Sequence, residues 1–345
     1  MGFVVPPNFF LSFTFKLTKQ PYSPLKFKHS MTDPTENDLN RPRLFKVLPT
    51  GSYARIVDGD KEYCSKFIQL FINLRKILIS KNHILYELVM KVAVNWMNRQ
   101  QDRVQEVAAT VQDLLYSLQT FLEGREYPDI YLDKDKDSAW RWQFQTQSPG
   151  PDGDRNHQVH IDVALACAVN HSLITGTRNP LATFFLVSIL YHEAAHNAVM
   201  RLLPFVVDTP TMGGESAGKS GDAFETLFFG AVLVPVLSKD APADYSRIHR
   251  IEGLKNGEYY PINMELLINF VDGVLETAGS TWDGIPPLFP NISTTTPAAL
   301  ASDEIRSKTC SGSVPASSYQ HSVGLGPTMG QAEYRKRIDK CVRHT

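Results

Sequence analysis

The sequence predicts an α+β, helix-rich domain, and three observations carry that reading. Apolar residues recur at three-to-four spacing from Asp60 to Gly124, Gln158 to Leu165 alternates apolar and polar residues, and Leu181 to Leu203 is a largely apolar run read as a buried helix. The chain has 345 residues, 43% of them hydrophobic, and a formal net charge of −1. That is enough apolar material for a sizeable core, and the balanced charge offers no electrostatic ground for nucleic-acid binding. The longest nearly uninterrupted apolar stretches, Leu181 to Tyr191 and Leu227 to Leu237, reach about half the length of a bilayer span, so no membrane span is expected.

Taken in order, residues 1–50 read as a flexible N-terminal segment. Phe9, Phe10, Leu11, Phe13 and Phe15 form an apolar patch, but Pro6 and Pro7 precede it. No basic region opens the patch and no small-residue cleavage site closes it, which argues against a signal peptide and favours a cytoplasmic over a secreted protein. Met31, at the head of a polar segment, is an alternative start. One globular domain is expected over residues 51–290, and its first part, 60–124, is helical. Phe67, Leu70, Phe71, Leu74, Ile77 and Leu78 form one stripe. Leu85, Leu88, Val89, Val92 and Trp96 form a second, and Val104, Val107, Val111, Leu114, Leu118 and Phe121 a third. Gly124 is the expected C-cap. These stripes are core-facing and carry no chemistry.

The strand expected at Gln158–Leu165 opens a region over residues 155–237 that holds a candidate metal-binding motif, His192-Glu193-Ala194-Ala195-His196. It would offer a sheet edge on which an extended peptide pairs by backbone hydrogen bonds. Neighbouring His157, His160 and His171 read as surface or turn residues. Further on, Met264, Leu266, Leu267, Phe270, Val271, Val274 and Leu275 predict another helix, and residues 291–345, rich in Pro, Ser, Thr and Gly, read as a weakly ordered tail. The four cysteines, Cys64, Cys167, Cys310 and Cys341, have no Cys-x-x-Cys spacing and are read as free thiols.

Chemistry concentrates in His192-Glu193-Ala194-Ala195-His196. Four residues turn an α-helix by about 400°, so histidines at i and i+4 leave one face a turn apart and can share one metal. Zn2+ suits that geometry. Glu193 lies about 100° round the helix, placed to reach a water on the metal instead of ligating it. It is the expected general base, taking the proton of a metal-activated water and passing it to a leaving amine.

A catalytic zinc needs a third protein ligand, and two glutamates compete for that role. Glu215 stands in a Gly-rich stretch that forms helix poorly. Glu225 lies in Asp222-Ala223-Phe224-Glu225-Thr226-Leu227-Phe228-Phe229, an apolar helix with Ser220 or Asp222 as N-cap. Ligands on rigid elements are held more accurately, so Glu225 is favoured and Glu215 is the alternative. Tyr245, His249 and Arg250 are the nearby side chains able to donate to an oxyanion.

His192-Glu193-Ala194-Ala195-His196 followed by a glutamate on a later helix resembles the gluzincin metallopeptidases. Gly218-Lys219-Ser220-Gly221-Asp222-Ala223-Phe224-Glu225 with Phe229-Gly230 is similar to uncharacterised fungal zincin-like proteins. The resemblance covers residues 155–235 or so. It implies a zincin-like fold with a small sheet and an HExxH active-site helix, bound zinc, and hydrolysis of an amide bond in a peptide or protein substrate. Lys219 and Phe229 stand where many gluzincins place an Asp, four residues after the ligand glutamate. Two other readings compete: a noncatalytic zinc-stabilised binding protein, and a helical interaction protein in which the motif is accidental.

Overall fold

A computed structural model describes residues 42–48, 52–99, 113–124, 127–133, 144–145, 158–203, 220–240, 245–276 and 297–306. The chain begins with β1 (Leu44–Val47) and β2 (Tyr53–Arg55), then α1 (Ser65–Ser80), α2 (Asn82–Arg99) and α3 (Leu114–Glu123). Next come β3 (Asp129–Asp133), β4 (Phe144–Gln145), β5 (Gln158–Asp162), α4 (Val163–Thr175) and α5 (Pro180–Leu202). The rest comprises α6 (Ser220–Phe229), β6 (Val232–Ser238), a 3-10 turn (Tyr245–Arg247), β7 (Arg250–Lys255), β8 (Glu258–Pro261), α7 (Met264–Glu276) and β9 (Glu304–Arg306). Among the described residues it is an α+β protein, rich in helix, with two small sheets. No helix among the described residues is long and apolar enough to cross a membrane.

The stripes read from the sequence face the core. Phe67, Leu70, Phe71, Leu74, Ile77 and Leu78 of α1 are buried, as are Leu85, Leu88, Val89 and Val92 of α2 and Leu114, Leu118 and Phe121 of α3. Val104, Val107 and Val111 lie outside the described residues. Gly124 closes α3 by donating to the Thr120 carbonyl at 2.7 Å. The end of that helix is finished by a residue the periodicity did not single out: buried Arg75 donates to the carbonyls of Leu122 and Gly124, both at 2.7 Å. A cation there satisfies C-terminal carbonyls and complements the helix dipole.

At the centre stands α5. Asn179 accepts from the Ala182 N–H at 3.1 Å and Pro180 fills the first helical position, so the helix starts with a cap and a preset φ. Its residues from Ala182 to Ala195 are buried, because α2, α3, α4, α6 and α7 all pack on it. Aromatic rings lock two of these contacts. Phe184 meets Phe229 and Phe270 edge-on at 5.5 and 5.4 Å, and Tyr191 meets Phe228 at 5.1 Å.

The first sheet runs β2-β1-β3-β5-β4, with β1, β3 and β5 mutually parallel and the outer strands antiparallel. Here the structure corrects the sequence reading twice. The strand expected to reach Leu165 stops at Asp162, whose carboxylate accepts from the N–H groups of Ala164 (2.7 Å) and Leu165 (3.0 Å) and caps α4. Nor is β5 an edge. All five of its residues pair with β3, while β4 covers Gln158 and Val159 on the other side, so those positions are not open to a peptide substrate.

The second sheet runs β8-β7-β6-β9, all antiparallel. Its strand β9 lies inside the stretch 291–345 read as a weakly ordered tail, and β1 lies inside the segment 1–50 read as flexible; the boundaries at 51 and 290 are too narrow. Both strands are too short to display a period. Besides its ladder to β6, charge holds β9. Glu252, wholly buried, accepts from Arg250 Nε at 2.8 Å and from Arg306 Nε at 2.6 Å. Arg250 also pairs with Glu304, and the Arg306 guanidinium lies 3.9 Å over the Tyr259 ring.

The bond from Arg250, with help from the Ala301 N–H, holds the Glu304 carboxyl at about 2, below its ordinary 4.5. Its stabilisation is therefore full above pH 4.5 and lost as pH falls from 4.5 towards 2. Glu304→Gln should lower stability at pH 7 by about 2 kcal/mol. In denaturant titrations the gap to wild type should narrow through that acid window, and equal stabilities at pH 7 would count against the network.

Candidate metal centre

On α5, His192 and Glu193 are each 2% exposed, and His196 is half-buried. Their i, i+4 relation does what the sequence predicts: the two Nε2 atoms converge to 3.2 Å. Behind each ring stands a side chain of α6. Glu225 Oε1 lies 2.7 Å from His192 Nδ1, and Ser220 Oγ lies 2.7 Å from His196 Nδ1. The other oxygen of Glu225 accepts the Leu233 N–H at 2.7 Å, from the strand that follows α6. The turn between helix and strand uses Gly230 at φ 90°, which a side chain would disfavour.

Gly221 explains how α6 comes so near. A Cβ at this position would stand 2.3 Å from His192 Nε2 and Cδ2, so only glycine lets the backbone lie against the imidazole. Phe224, Phe228 and Phe229 seal the remaining face of α6 in the core.

Two poles of His192 compete as a place for a metal. On one side, ligand atoms of His192, Asp222 and Glu225 lie within 4.8 Å of one another, with Asp222 Oδ1 3.8 Å from Nδ1. On the other is the pair of Nε2 atoms. Two ligands of a tetrahedral zinc, each about 2.0–2.1 Å from the ion, stand about 3.3 Å apart. The 3.2 Å Nε2 separation fits that figure. The 2.7 Å between Nδ1 and Glu225 is a hydrogen-bond distance. A carboxylate accepting from Nδ1–H leaves the Nε2 lone pair of His192 pointing at His196, the tautomer a metal requires. The spacing of the two histidines therefore fits two of the three protein ligands of a zinc at the Nε2 pole.

Glu193 and Asn197 occupy the neighbouring face of α5, one turn apart. Asn197 Nδ2 donates to the Glu193 carbonyl at 2.9 Å. Among the described residues, buried Glu193 Oε1 and Asn197 Oδ1 have no hydrogen-bond partner. Burial pushes the Glu193 carboxyl up to about 7; the charge of Glu225 adds to the rise and His192 opposes it. A buried acceptor without a donor costs free energy and is a recurring mark of functional sites.

Of the residues singled out from the sequence, His192, Glu193, His196 and Glu225 come together, and Glu215 lies outside the described residues. Ser220, read as a possible N-cap, is the first residue of α6 and turns its hydroxyl to His196. The roles of Ser220 and Gly221 were missed; their signal was a pair of small residues five and four positions before Glu225, on the helix that faces the motif. His171 is exposed on α4, His157 lies outside the described residues, and His160 sits in β5. The oxyanion-donor candidates are engaged elsewhere. Tyr245 is buried and stacks on Phe185 at 5.4 Å, about 10 Å along the helix from His192. Arg250 belongs to the carboxylate network of the second sheet, and exposed His249 lies 3.6 Å from Glu304. Cys64 and Cys167 are free.

Gly221→Ala should drive α6 and the His192 ring apart, lowering the thermal midpoint at a cost of about 1–3 kcal/mol; an unchanged midpoint would refute the close approach. Glu193 titrates in the opposite sense to Glu304. With a folded value near 7 against an ordinary 4.5, zinc-free protein should lose stability as pH rises from 4.5 to about 7. Glu193→Gln should abolish that loss, leaving zinc-free variant more stable than wild type at pH 8 by roughly 3 kcal/mol in denaturant titrations. Identical pH profiles would contradict the burial of the charge. No family model, curated protein or solved structure compared with the chain matches it, so the functional reading rests on these residues and their geometry.

Proposed function

We propose that the protein is a zinc-dependent metallopeptidase of gluzincin type with a zincin-like fold, hydrolysing amide bonds in a peptide or protein substrate. The observation that carries this reading is the convergence of His192 and His196 Nε2 to 3.2 Å beside a buried carboxylate on the same helix. His192 and His196 hold the ion. Bound there, zinc supplies Lewis-acid chemistry that activates a water and polarises the scissile carbonyl.

Glu193 is the general base. Its Oε1 takes the proton of the attacking water and delivers it to the leaving amine nitrogen. In the metal-free chain burial lifts this carboxyl to about 7; a zinc ion on the adjacent histidines would pull it down, favouring the ionised form a general base needs. Excluding water from the face shared by Glu193 and Asn197 strengthens each electrostatic interaction made there.

A second reading, a noncatalytic zinc-stabilised binding protein, draws support from one observation: His192 and Glu193 are only 2% exposed. Glu193→Gln separates the two. For a peptidase, the variant keeps about one zinc per chain and loses hydrolysis of a peptide library by about 10²- to 10⁴-fold, the usual contribution of general acid-base catalysis. Hydrolysis at the wild-type rate in the variant, or none in zinc-loaded wild type, counts against the peptidase.

A further inference from the structure

The sequence favours Glu225 over Glu215 as the third ligand, but the bonds of Glu225 here describe another task. Each of its oxygens already has a partner at 2.7 Å, His192 Nδ1 for one and the Leu233 N–H for the other. Leu233 is fixed in turn, because β6 pairs it with Gly253 of β7. The carboxylate is thus braced between a ring and a sheet. Reaching the Nε2 pole would mean abandoning both bonds and crossing to the opposite edge of the imidazole, leaving a buried N–H without its acceptor.

The same arrangement recurs one turn along. Ser220, on the helix that carries Glu225, bonds His196 Nδ1 at 2.7 Å. Gly221, between them in sequence, has no side chain to hold the two helices apart. One helix therefore grips both imidazoles by the nitrogen that faces away from the metal pole.

We propose that α6 is the orienting arm of the centre: Glu225 and Ser220 are positioning residues that fix His192 and His196 through Nδ1, and Glu225 is not the third zinc ligand. This rests on zinc binding at the histidine pair. Each contact sets ring orientation, the Glu225 carboxylate also sets the His192 tautomer, and loss of such a partner typically weakens metal binding 10- to 100-fold without removing a ligand.

The test is zinc affinity by chelator competition on the full chain for wild type, Ser220→Ala and Glu225→Gln, with zinc X-ray absorption spectra of each loaded protein. Both variants should hold about one zinc per chain, about 10- to 100-fold more weakly than wild type, with the same count of light-atom ligands. Loss of zinc from Glu225→Gln, or a spectrum short of one oxygen ligand, overturns the assignment while leaving the zinc reading intact. Ser220→Ala alters only a hydroxyl at the start of a helix, so it remains informative if Glu225→Gln misfolds, and wild-type affinity in that variant also overturns the proposal. Folded wild type that takes up no zinc overturns both this inference and the function proposed above.

Discussion

Burying Ala182 to Ala195 of α5 among five other helices leaves the polar side chains of that stretch no solvent to turn to. Within Ala182 to Val199, the apolar positions make the core that fixes the helix. Any histidine, carboxylate or amide there must find a partner in a neighbouring element or stay unsatisfied at a cost. That constraint shapes the centre. His192 and His196 take their partners from α6, and α6 comes close enough to supply them because Gly221 has no side chain. The connection from α6 through Gly230 into β6 then supplies the N–H that occupies the second oxygen of Glu225. Core packing, glycine placement and histidine orientation are one arrangement.

Glu193 and Asn197 are the exception that this arrangement tolerates. Each has a buried oxygen without a partner among the described residues, one turn apart on the face beside the histidines. A sequence optimised for stability alone would place apolar residues at both positions, since unsatisfied buried groups are selected against unless they serve a purpose. The raised Glu193 carboxyl is the electrostatic expression of the same strain: burial penalises its charged form, and nearby Glu225 adds to the penalty. Opposing this, His192 pulls the carboxyl down.

The core helices and the motif were legible because their information is local. Three-to-four spacing exposed the buried faces of α1 and α2, and the i, i+4 step put His192 and His196 on one face without any knowledge of tertiary structure. Glu225 was legible as a helical carboxylate aimed at the motif. Its partner atom was not, because which imidazole nitrogen it meets depends on how α6 crosses α5, and that turns on Gly221. The second sheet was illegible for a related reason. Its strand β9 has three residues, and ion pairs to Arg250 and Glu252, more than fifty positions away, hold it in place. The strand boundary at Asp162 was missed because alternation continues into Val163-Ala164-Leu165, while a carboxylate cap turns the backbone into helix.

The central claim is that His192 and His196 share a metal through Nε2. Crystals of zinc-loaded protein, with anomalous scattering recorded on both sides of the zinc absorption edge, test it most directly. The account predicts one anomalous peak about 2.0–2.1 Å from both Nε2 atoms, with Glu225 still on His192 Nδ1. A peak on the other side of the ring, between Nδ1, Asp222 and Glu225, or no peak at all in well-ordered crystals, would contradict it.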